Sequence, residues 1–346
     1  MTLESKVLEI IEGKKSAPLS RALLRVMSHC YQAGAYLHRF AYDLVIPTTK
    51  LSIPVVSVGN IVAGGSGKTP FVHYLAEKLS SSMSVAILSR GYGRKSSKTV
   101  VVDSSTTAEE CGDEPYFLAQ KLPQAKVIVD RKRTFSGHLA TTLEAKIAIL
   151  DDGLQYHPLE RDFDIVVMDA RDLFGKGFYL PRGLLRDSPK RLKNANHIIL
   201  NGVFAEEEFE KAVAQIRKWS EAPITAMELK VKNSTELASK KVTSFCAIAN
   251  PARFQKTLGR LGCDVVEKLE KGDHQPFTVD ELDRLANRAK EKGAEIVVCT
   301  EKDRVKLPEK LSLSLPLIPV EVTLVPKFGK EKLDHLIKQI LEMIDE

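Results

Sequence analysis

One stretch, IPVVSVGNIVAGGSGKTPFVHYLAEKL (residues 53–79), limits what this 346-residue chain can fold into more than any other. A β-branched run leads into Gly64, Gly65 and Gly67, and a helical stretch follows with Pro70 near its first turn. A strand, a glycine loop and a helix in that order converge backbone N–H groups on phosphate oxygens, and the helix dipole adds to them. On this reading Gly64, Gly65, Ser66 and Gly67 cradle a triphosphate, Lys68 neutralises its β/γ-phosphates, and the Thr69 hydroxyl ligates Mg²⁺. The usual pattern G-x-x-x-x-G-K-[ST] asks for glycine where Val62 stands. The three retained glycines lie closest to the phosphates, so the physics survives the mismatch.

From Ile53 onward, Val/Ile-rich runs alternate with helical stretches. Strands are expected in IPVVSVG (53–59), SVAILS (84–89), KVIV (126–129), KIAIL (146–150), DIVVMD (164–169) and HIILN (197–201), and helices at 70–81, 114–121, 131–143 and 205–218. Such alternation predicts right-handed βαβ crossovers and a parallel sheet with helices on both faces, an α/β fold of the P-loop NTPase kind. A second series predicts a smaller α/β unit: SFCAIA, 251–261, CDVVEKL, 278–291, EIVVC, LPLIPVEV and a final helix at 329–344. Between them TAMELKVKNSTEL alternates polar and apolar, as an exposed linking strand would. The expected organisation is an amphipathic helical segment (1–50), a phosphate-loop core (51–222), a linker strand (223–240) and a C-terminal lid (241–346).

The first fifty residues differ from the rest. No acidic residue occurs between Lys14 and Tyr42, where Arg21, Arg25 and Arg39 are interleaved with Leu19, Leu23, Met27, Tyr31, Tyr36, Leu37 and Phe40. The run predicts a helix, broken or bent around Gly34, that suits a membrane interface and equally suits packing on its own domain. No segment offers the roughly 18 uncharged apolar residues of a spanning helix, and the opening residues do not read as a secretory signal. A net charge of +6 suits anionic ligands or an anionic membrane surface. No DNA- or RNA-binding motif is present, which argues against nucleic acid, and no obligate protein partner is evident. Cys30, Cys111, Cys246, Cys263 and Cys299 are scattered without a C-x-x-C pair, which argues against structural zinc or disulfides and for a reducing compartment.

Three further stretches can carry chemistry. In ILDDGLQYH (149–157) a buried strand ends in Asp151 and Asp152, as strand-end acids that support Mg²⁺ do. Neighbours on an extended backbone point to opposite sides, so the two need not share a role. CGDEP places Asp113 and Glu114 at a helix start, where acids are ordinary, and GDHQPFT (272–278) places His274 in a polar loop. Phosphoryl transfer to an alcohol needs a residue to accept the hydroxyl proton, and composition does not choose between Asp and His. Arginines in SRGYGRK (89–95), VDRKRT (129–134) and YLPRGLLRDS (179–188) suit a phosphorylated substrate or a solvated surface.

Taken in order, VGNIVAGGSGKTP, LSRGYGR, GDEP, DRKR, LDDGLQ, DIVVMDA, PRGLLRD, NPARF, GDHQPFT and TEKD resemble the tetraacyldisaccharide 4′-kinase family. That family's phosphate loop also lacks the first glycine. The resemblance implies transfer of the ATP γ-phosphate to the 4′-hydroxyl of tetraacyldisaccharide 1-phosphate, a lipid A precursor, at the cytoplasmic face of the bacterial inner membrane. It implies ATP and Mg²⁺ at the loop, with Asp151 and Asp152 on the metal side. Asp113 would be the catalytic acid–base residue, paired with His274 from the second unit, whose closure would complete the site and exclude water. Arg90, Tyr92, Arg131, Arg133 and Gln155 would face the headgroup or nucleotide. The resemblance also favours membrane contact for the basic helix, because a four-chain lipid does not easily leave the bilayer.

Two positions depart from the family pattern: Asp187 stands where Glu is common, and CAIA precedes NPARF where glycines are frequent. The rival reading, a regulatory or metal-chaperone NTPase, typically has a second lysine before the glycine pair, where this chain has Ala63. A soluble sugar or nucleoside kinase would leave the N-terminal helix as packing alone.

Overall fold

The computed structural model describes residues 18–248, 250–273, 275–308 and 310–345. Its strands are β1 (Val55–Gly59), β2 (Val85–Ser89), β3 (Val100–Val101), β4 (Lys126–Val129), β5 (Ile147–Asp151), β6 (Phe163–Asp169), β7 (His197–Asn201), β8 (Ile224–Val231), β9 (Lys241–Cys246), β10 (Asp264–Glu270), β11 (Ile296–Thr300), β12 (Leu317–Val320) and β13 (Val322–Phe328). The α-helices are α1 (Pro18–Leu44), α2 (Lys68–Ser80), α3 (Ala108–Cys111), α4 (Asp113–Lys121), α5 (Arg133–Thr142), α6 (Glu206–Ile216), α7 (Ser234–Leu237), α8 (Pro251–Arg260), α9 (Val279–Glu291), α10 (Glu301–Arg304) and α11 (Lys330–Asp345). A nine-stranded sheet has the order β13-β8-β7-β6-β1-β5-β2-β4-β3, and a four-stranded sheet has β10-β9-β11-β12.

Successive strand residues point to opposite faces, and here both faces are apolar. Val56, Val58, Ile87, Ile149, Ile165 and Val167 meet Phe71, Leu75 and Leu79 of α2 on one side. On the other, Ala86, Leu88, Ala148 and Leu150 meet Ala140 of α5, while Val166, Ile198 and Leu200 meet Ala212 and Ile216 of α6. Each such fully buried Leu, Ile or Phe contributes about 1.5–3 kcal/mol. The central strands therefore read as continuous hydrophobic runs, which a parallel sheet covered on both faces requires. β1 pairs in parallel with β5 and with β6. Their carboxyl ends share one edge of the sheet, and the phosphate loop and Asp151 emerge there together.

Three expectations need correction. LPLIPVEV is not one strand of the second unit. Its first part becomes β12 in the small sheet, and the chain then crosses back as β13, antiparallel to β8 in the large one. Leu333, Leu336 and Ile340 of α11 join the core around Phe71, so the lid expected over 241–346 loses its last strand and helix to the first unit. An unbroken apolar run carries no mark of a change of sheet, which is why its sequence hides the crossing. The linker strand is likewise half core: the first four residues of β8 are buried and only its far end is open. There β8 and β13 run on as a pair (Val231 opposite Val322), and this ribbon carries both chain connections between the units. Finally, α1 is continuous through Gly34, where no atom lies close enough to demand a bend.

One buried histidine fastens the returning segment. Thr225 donates its hydroxyl proton to the Gly329 carbonyl (2.9 Å), so His197 Nε2 must be the donor in its 2.8 Å bond to Thr225 Oγ1. Burial, helped slightly by Lys332, pushes the His197 imidazole from 6.5 down to about 4. Between those values the unfolded chain binds a proton that the folded chain refuses, so stability falls as pH falls through that window. Thermal melts should show a loss of up to about 3 kcal/mol from this group, and the His197→Gln variant should show a correspondingly flatter pH dependence.

Candidate active site

The phosphate loop begins as strand, not as turn. Val62 forms a bridge with Leu185, the Ala63 N–H donates to the Leu184 carbonyl (2.7 Å), and the Arg186 N–H donates to the Ile61 carbonyl (2.9 Å). An extended, paired backbone suits a β-branched residue, which accounts for valine at the position of the missing glycine. The turn itself starts at Gly64 (φ 104°) and ends at Gly67 (φ 88°), both in the region that a Cβ makes costly. Around Gly64 and Gly65 an added Cβ would meet nothing within 4 Å, which leaves room for a phosphate to approach the backbone. Asn201, at the end of β7, donates to the Ser66 carbonyl (2.8 Å), and Asn60 donates to Ser66 Oγ (2.8 Å). The loop is thus held from both sides.

Charged groups of alternating sign surround it. Lys68 Nζ lies 3.4 Å from Asp152 Oδ1, and the Arg186 guanidinium grips the same carboxylate with two donors while also reaching Asn60 Oδ1. Burial works against the Asp152 charge, yet Arg186 and Lys68 together hold its carboxyl well below the usual range. Asp151 turns the other way into the sheet, where it accepts from Ser89 Oγ (3.3 Å). Burial first, and then the negative charges of Glu114 and Asp152, push its carboxyl up to about 7. Glu114 Oε1 accepts both the Thr69 hydroxyl (2.9 Å) and Lys302 Nζ (2.7 Å). Burial opposes its ionisation, but Lys302 and the Thr69 hydroxyl keep it below the ordinary glutamate value. Beside it, Asp113 Oδ2 lies 2.7 Å from Lys306 Nζ.

This donor set fits Mg²⁺. A carboxylate whose ionisation is suppressed by burial and by two neighbouring acids marks a place where a divalent cation would relieve repulsion. Among the described residues no group of three or more His, Cys, Asp or Glu could cage a metal unaided. Mg²⁺ asks for less, because one or two carboxylates with waters and substrate phosphates suffice.

The remaining expected residues are placed unevenly. Gln155 uses its amide nitrogen on the framework, with Nε2 donating to the Asn60 carbonyl (3.0 Å) and to Asp187 (3.4 Å), so it braces the loop alongside Arg186, while its Oε1 is buried without a hydrogen-bond partner. Arg133 is buried, with its guanidinium 3.9 Å from the centre of the Tyr156 ring, and it donates to the Arg131 carbonyl (3.2 Å). That is a framework position; Arg90, Arg131 and Tyr92 are exposed at the rim, Tyr92 by 78%. Gly112, ahead of Asp113, packs against the Gly91 and Tyr92 backbone, so two of the glycine motifs fit together as loops. His274 lies outside the described residues. Arg186, Asn60, Asn201, Lys302 and Lys306 were not singled out by sequence reasoning. Arg186 and Lys302 stand in quoted motifs and were legible as candidates; Lys306 stands in none.

Beyond Asn201, a cleft of about 290 Å³ opens between the units at the carboxyl end of β7 and the middle of β8. Gly202, Phe204, Glu228, Asn250 and Arg253 are among its walls. The Phe204 ring carries cations on its face, with Arg260 at 4.3 Å and Lys256 at 5.8 Å.

A phosphate loop at the middle of a parallel sheet, with acids on the adjacent strand and a second unit reaching over them, defines a P-loop NTPase fold adapted to phosphoryl transfer. A family model described as Tetraacyldisaccharide-1-P 4′-kinase matches residues 20–342. The chain belongs to this family. It is 37% identical to the tetraacyldisaccharide 4′-kinase of Vibrio vulnificus over 94% of this chain and 90% of that one. It is 33% identical to the enzyme of that name from Halothermothrix orenii, over 88% of each. The fold is similar to LpxK from Aquifex aeolicus, solved in complex with ATP, with a TM-score of 0.74, 31% identity and coverage of 92% of this chain and 99% of that one.

At Gly67 an added Cβ would lie 2.5 Å from Asn201 Nδ2 on a backbone with φ 88°. Gly67→Ala should therefore weaken ATP binding by about tenfold or more, since strain and clash of this kind cost on the order of 1–3 kcal/mol. Titration calorimetry with Mg·ATP checks this.

Proposed function

We propose that the chain transfers the γ-phosphate of ATP to the 4′-hydroxyl of tetraacyldisaccharide 1-phosphate, working at the cytoplasmic face of the inner membrane. The observation that carries the reading is the junction at Glu114, where the phosphate-loop threonine, the GDEP motif and the second unit meet on one carboxylate oxygen. A phosphate loop alone fits many activities; a GDEP acid bonded to the loop threonine supports reading its neighbour Asp113 as the acid on the acceptor side. The loop amides and Lys68 bind the β- and γ-phosphates, and the cleft beyond Asn201, with Phe204 in its wall, takes the adenine. Thr69, with Asp151 and Asp152, holds Mg²⁺. When bound, Mg²⁺ neutralises charge on the phosphate oxygens during transfer. Asp113 accepts the proton of the 4′-hydroxyl and His274 orients it, while Arg90, Tyr92 and Arg131 contact the anionic headgroup.

The lipid side of the reading rests on α1. Leu19 is 86% exposed, and Leu23, Val26, Tyr36, Leu37, Phe40 and Leu44 are exposed with it. The opposite face of the helix is anchored: Leu24 and Ser28 are buried, and Ser28 Oγ donates to the Tyr179 carbonyl (2.8 Å). Arg25 and Arg182 approach the Phe178 ring from either element, at 5.9 and 4.6 Å. A helix with one docked face, one apolar open face and neighbouring arginines suits an anionic membrane surface in the plane of the interface. No described helix is long and apolar enough to cross a membrane.

A transfer assay with radiolabelled γ-phosphate and the disaccharide 1-phosphate lipid in mixed micelles tests the activity directly; absence of lipid-dependent labelling refutes it. Asp113→Ala should lower kcat by roughly 10²–10⁴-fold with nucleotide affinity largely kept, and a parallel loss of ATP affinity would assign Asp113 to the metal instead. Replacing Leu19, Leu23 and Leu37 together by serine should move the protein off anionic vesicles in a flotation assay. Unchanged partition would remove the membrane role of α1.

A further inference from the structure

Two lysines of the second unit reach into the centre of the site. Lys302 Nζ meets the Thr69 hydroxyl on the same oxygen of Glu114, and Lys306 Nζ meets Asp113 Oδ2. Both come from the segment after β11. Its helix α10 is built as a stiff mount: Thr300 caps it by accepting the Asp303 N–H (3.2 Å), and the buried Asp303 carboxylate takes the Thr300 hydroxyl (2.6 Å) and the Ala247 N–H (3.2 Å). Lys306 follows in the turn after α10, where its N–H donates to the Asp303 carbonyl (3.2 Å), and both lysine side chains project to one side. That side faces the adjacent acids at the start of α4. A third pair, Lys121 with Glu301, joins the same two helices with the polarity reversed, at the far end of α4.

Without these lysines, Asp113, Glu114, Asp151 and Asp152 would set four acids around a site that must accept a triphosphate. The first unit supplies Lys68, which faces the phosphates and Asp152, and Arg186, which grips Asp152; neither forms an ion pair with Asp113 or Glu114. Cations for the GDEP pair come from across the interface. We propose that Lys302 and Lys306 are positioning residues for phosphoryl transfer: Lys302 fixes Glu114 against Thr69, Lys306 fixes the Asp113 carboxylate for the acceptor hydroxyl, and the site is complete only when the second unit has delivered both. The proposal rests on the reading of Asp113 as the proton acceptor. It makes closure a matter of charge as well as of water exclusion, and it gives TEKD a task at the reaction centre.

The test uses the full-length protein, the mixed-micelle assay and initial rates at varied ATP. Lys302→Met and Lys306→Met should each lower kcat by roughly 10–10²-fold, the scale of a misplaced catalytic group. The KM for ATP should stay within about threefold, as expected for an interaction that matters only in the transition state. Lys302→Arg and Lys306→Arg keep the ion pair and should recover kcat to within about fivefold. Lys121→Met, which breaks a bridge between the same helices away from the reacting atoms and leaves the buried Glu301 its Val322 N–H bond, should lower the melting temperature yet change kcat by less than about threefold. Lysine variants that lose no more than Lys121→Met, or that lose ATP affinity in step with kcat, overturn the proposal. Asp113→Asn serves as the reference: full activity in that variant brings down the proton-acceptor reading itself, whereas its expected loss beside unaffected lysine variants brings down the lysine role alone.

Discussion

Parallel pairing of β1 with β5, in the register that sets Val58 against Asp151, fixes most of what surrounds the site. It releases a glycine loop and a pair of acids at the same sheet edge, where backbone amides and carboxylates compete for one small volume. The sheet then leaves Asp151 no route to water, so its charge must find a cation or be suppressed. Asp152 escapes by a left-handed turn (φ 54°) that aims it at Lys68 and Arg186. Two adjacent carboxylates thus acquire opposite electrostatic characters because the backbone turns them toward different neighbours.

The basic residues that balance this edge come from far apart in the chain. Arg186 belongs to a segment paired with the mouth of the phosphate loop through Val62 and Leu185, and the same segment receives α1. Tyr31 places its hydroxyl 3.4 Å from the Arg186 carbonyl, and Ser28 bonds to Tyr179. The helix with the open apolar face is therefore not an appendage. It rests on the element that braces Asn60 and Asp152, so a surface met by that helix lies one layer of structure away from the triphosphate loop. If α1 meets the membrane as proposed, the lipid surface and the nucleotide loop share a wall.

How much of this was legible follows from what each residue advertises. The central strands declared themselves because burial on both faces leaves few polar positions, and their predicted limits differ from the observed ones by at most two residues. The phosphate loop was readable despite Val62, since the glycines that need positive φ were all present. What stayed hidden depends on contacts between distant segments. Nothing in VTLVPKF says which sheet it joins; only β8, almost a hundred residues earlier, decides that. Arg133 and Arg131 look alike in DRKR, yet one lies against Tyr156 and the other faces solvent. Lys306 has no local signature, because its meaning comes from Asp113 across an interface.

The return of the chain to the large sheet bears on how the molecule is made. The second unit is an insertion between β8 and β13, spliced into the edge of a sheet whose other strands precede it. Leu333, Leu336 and Ile340 complete the apolar layer over Phe71 and Leu75 from the last helix. Synthesis runs from the amino end, so the first unit waits with that layer uncovered while more than eighty residues of another domain emerge and fold. The catalytic core is begun first and finished last, and a nascent chain lacking its final turns holds a folded lid on a body still open along one side.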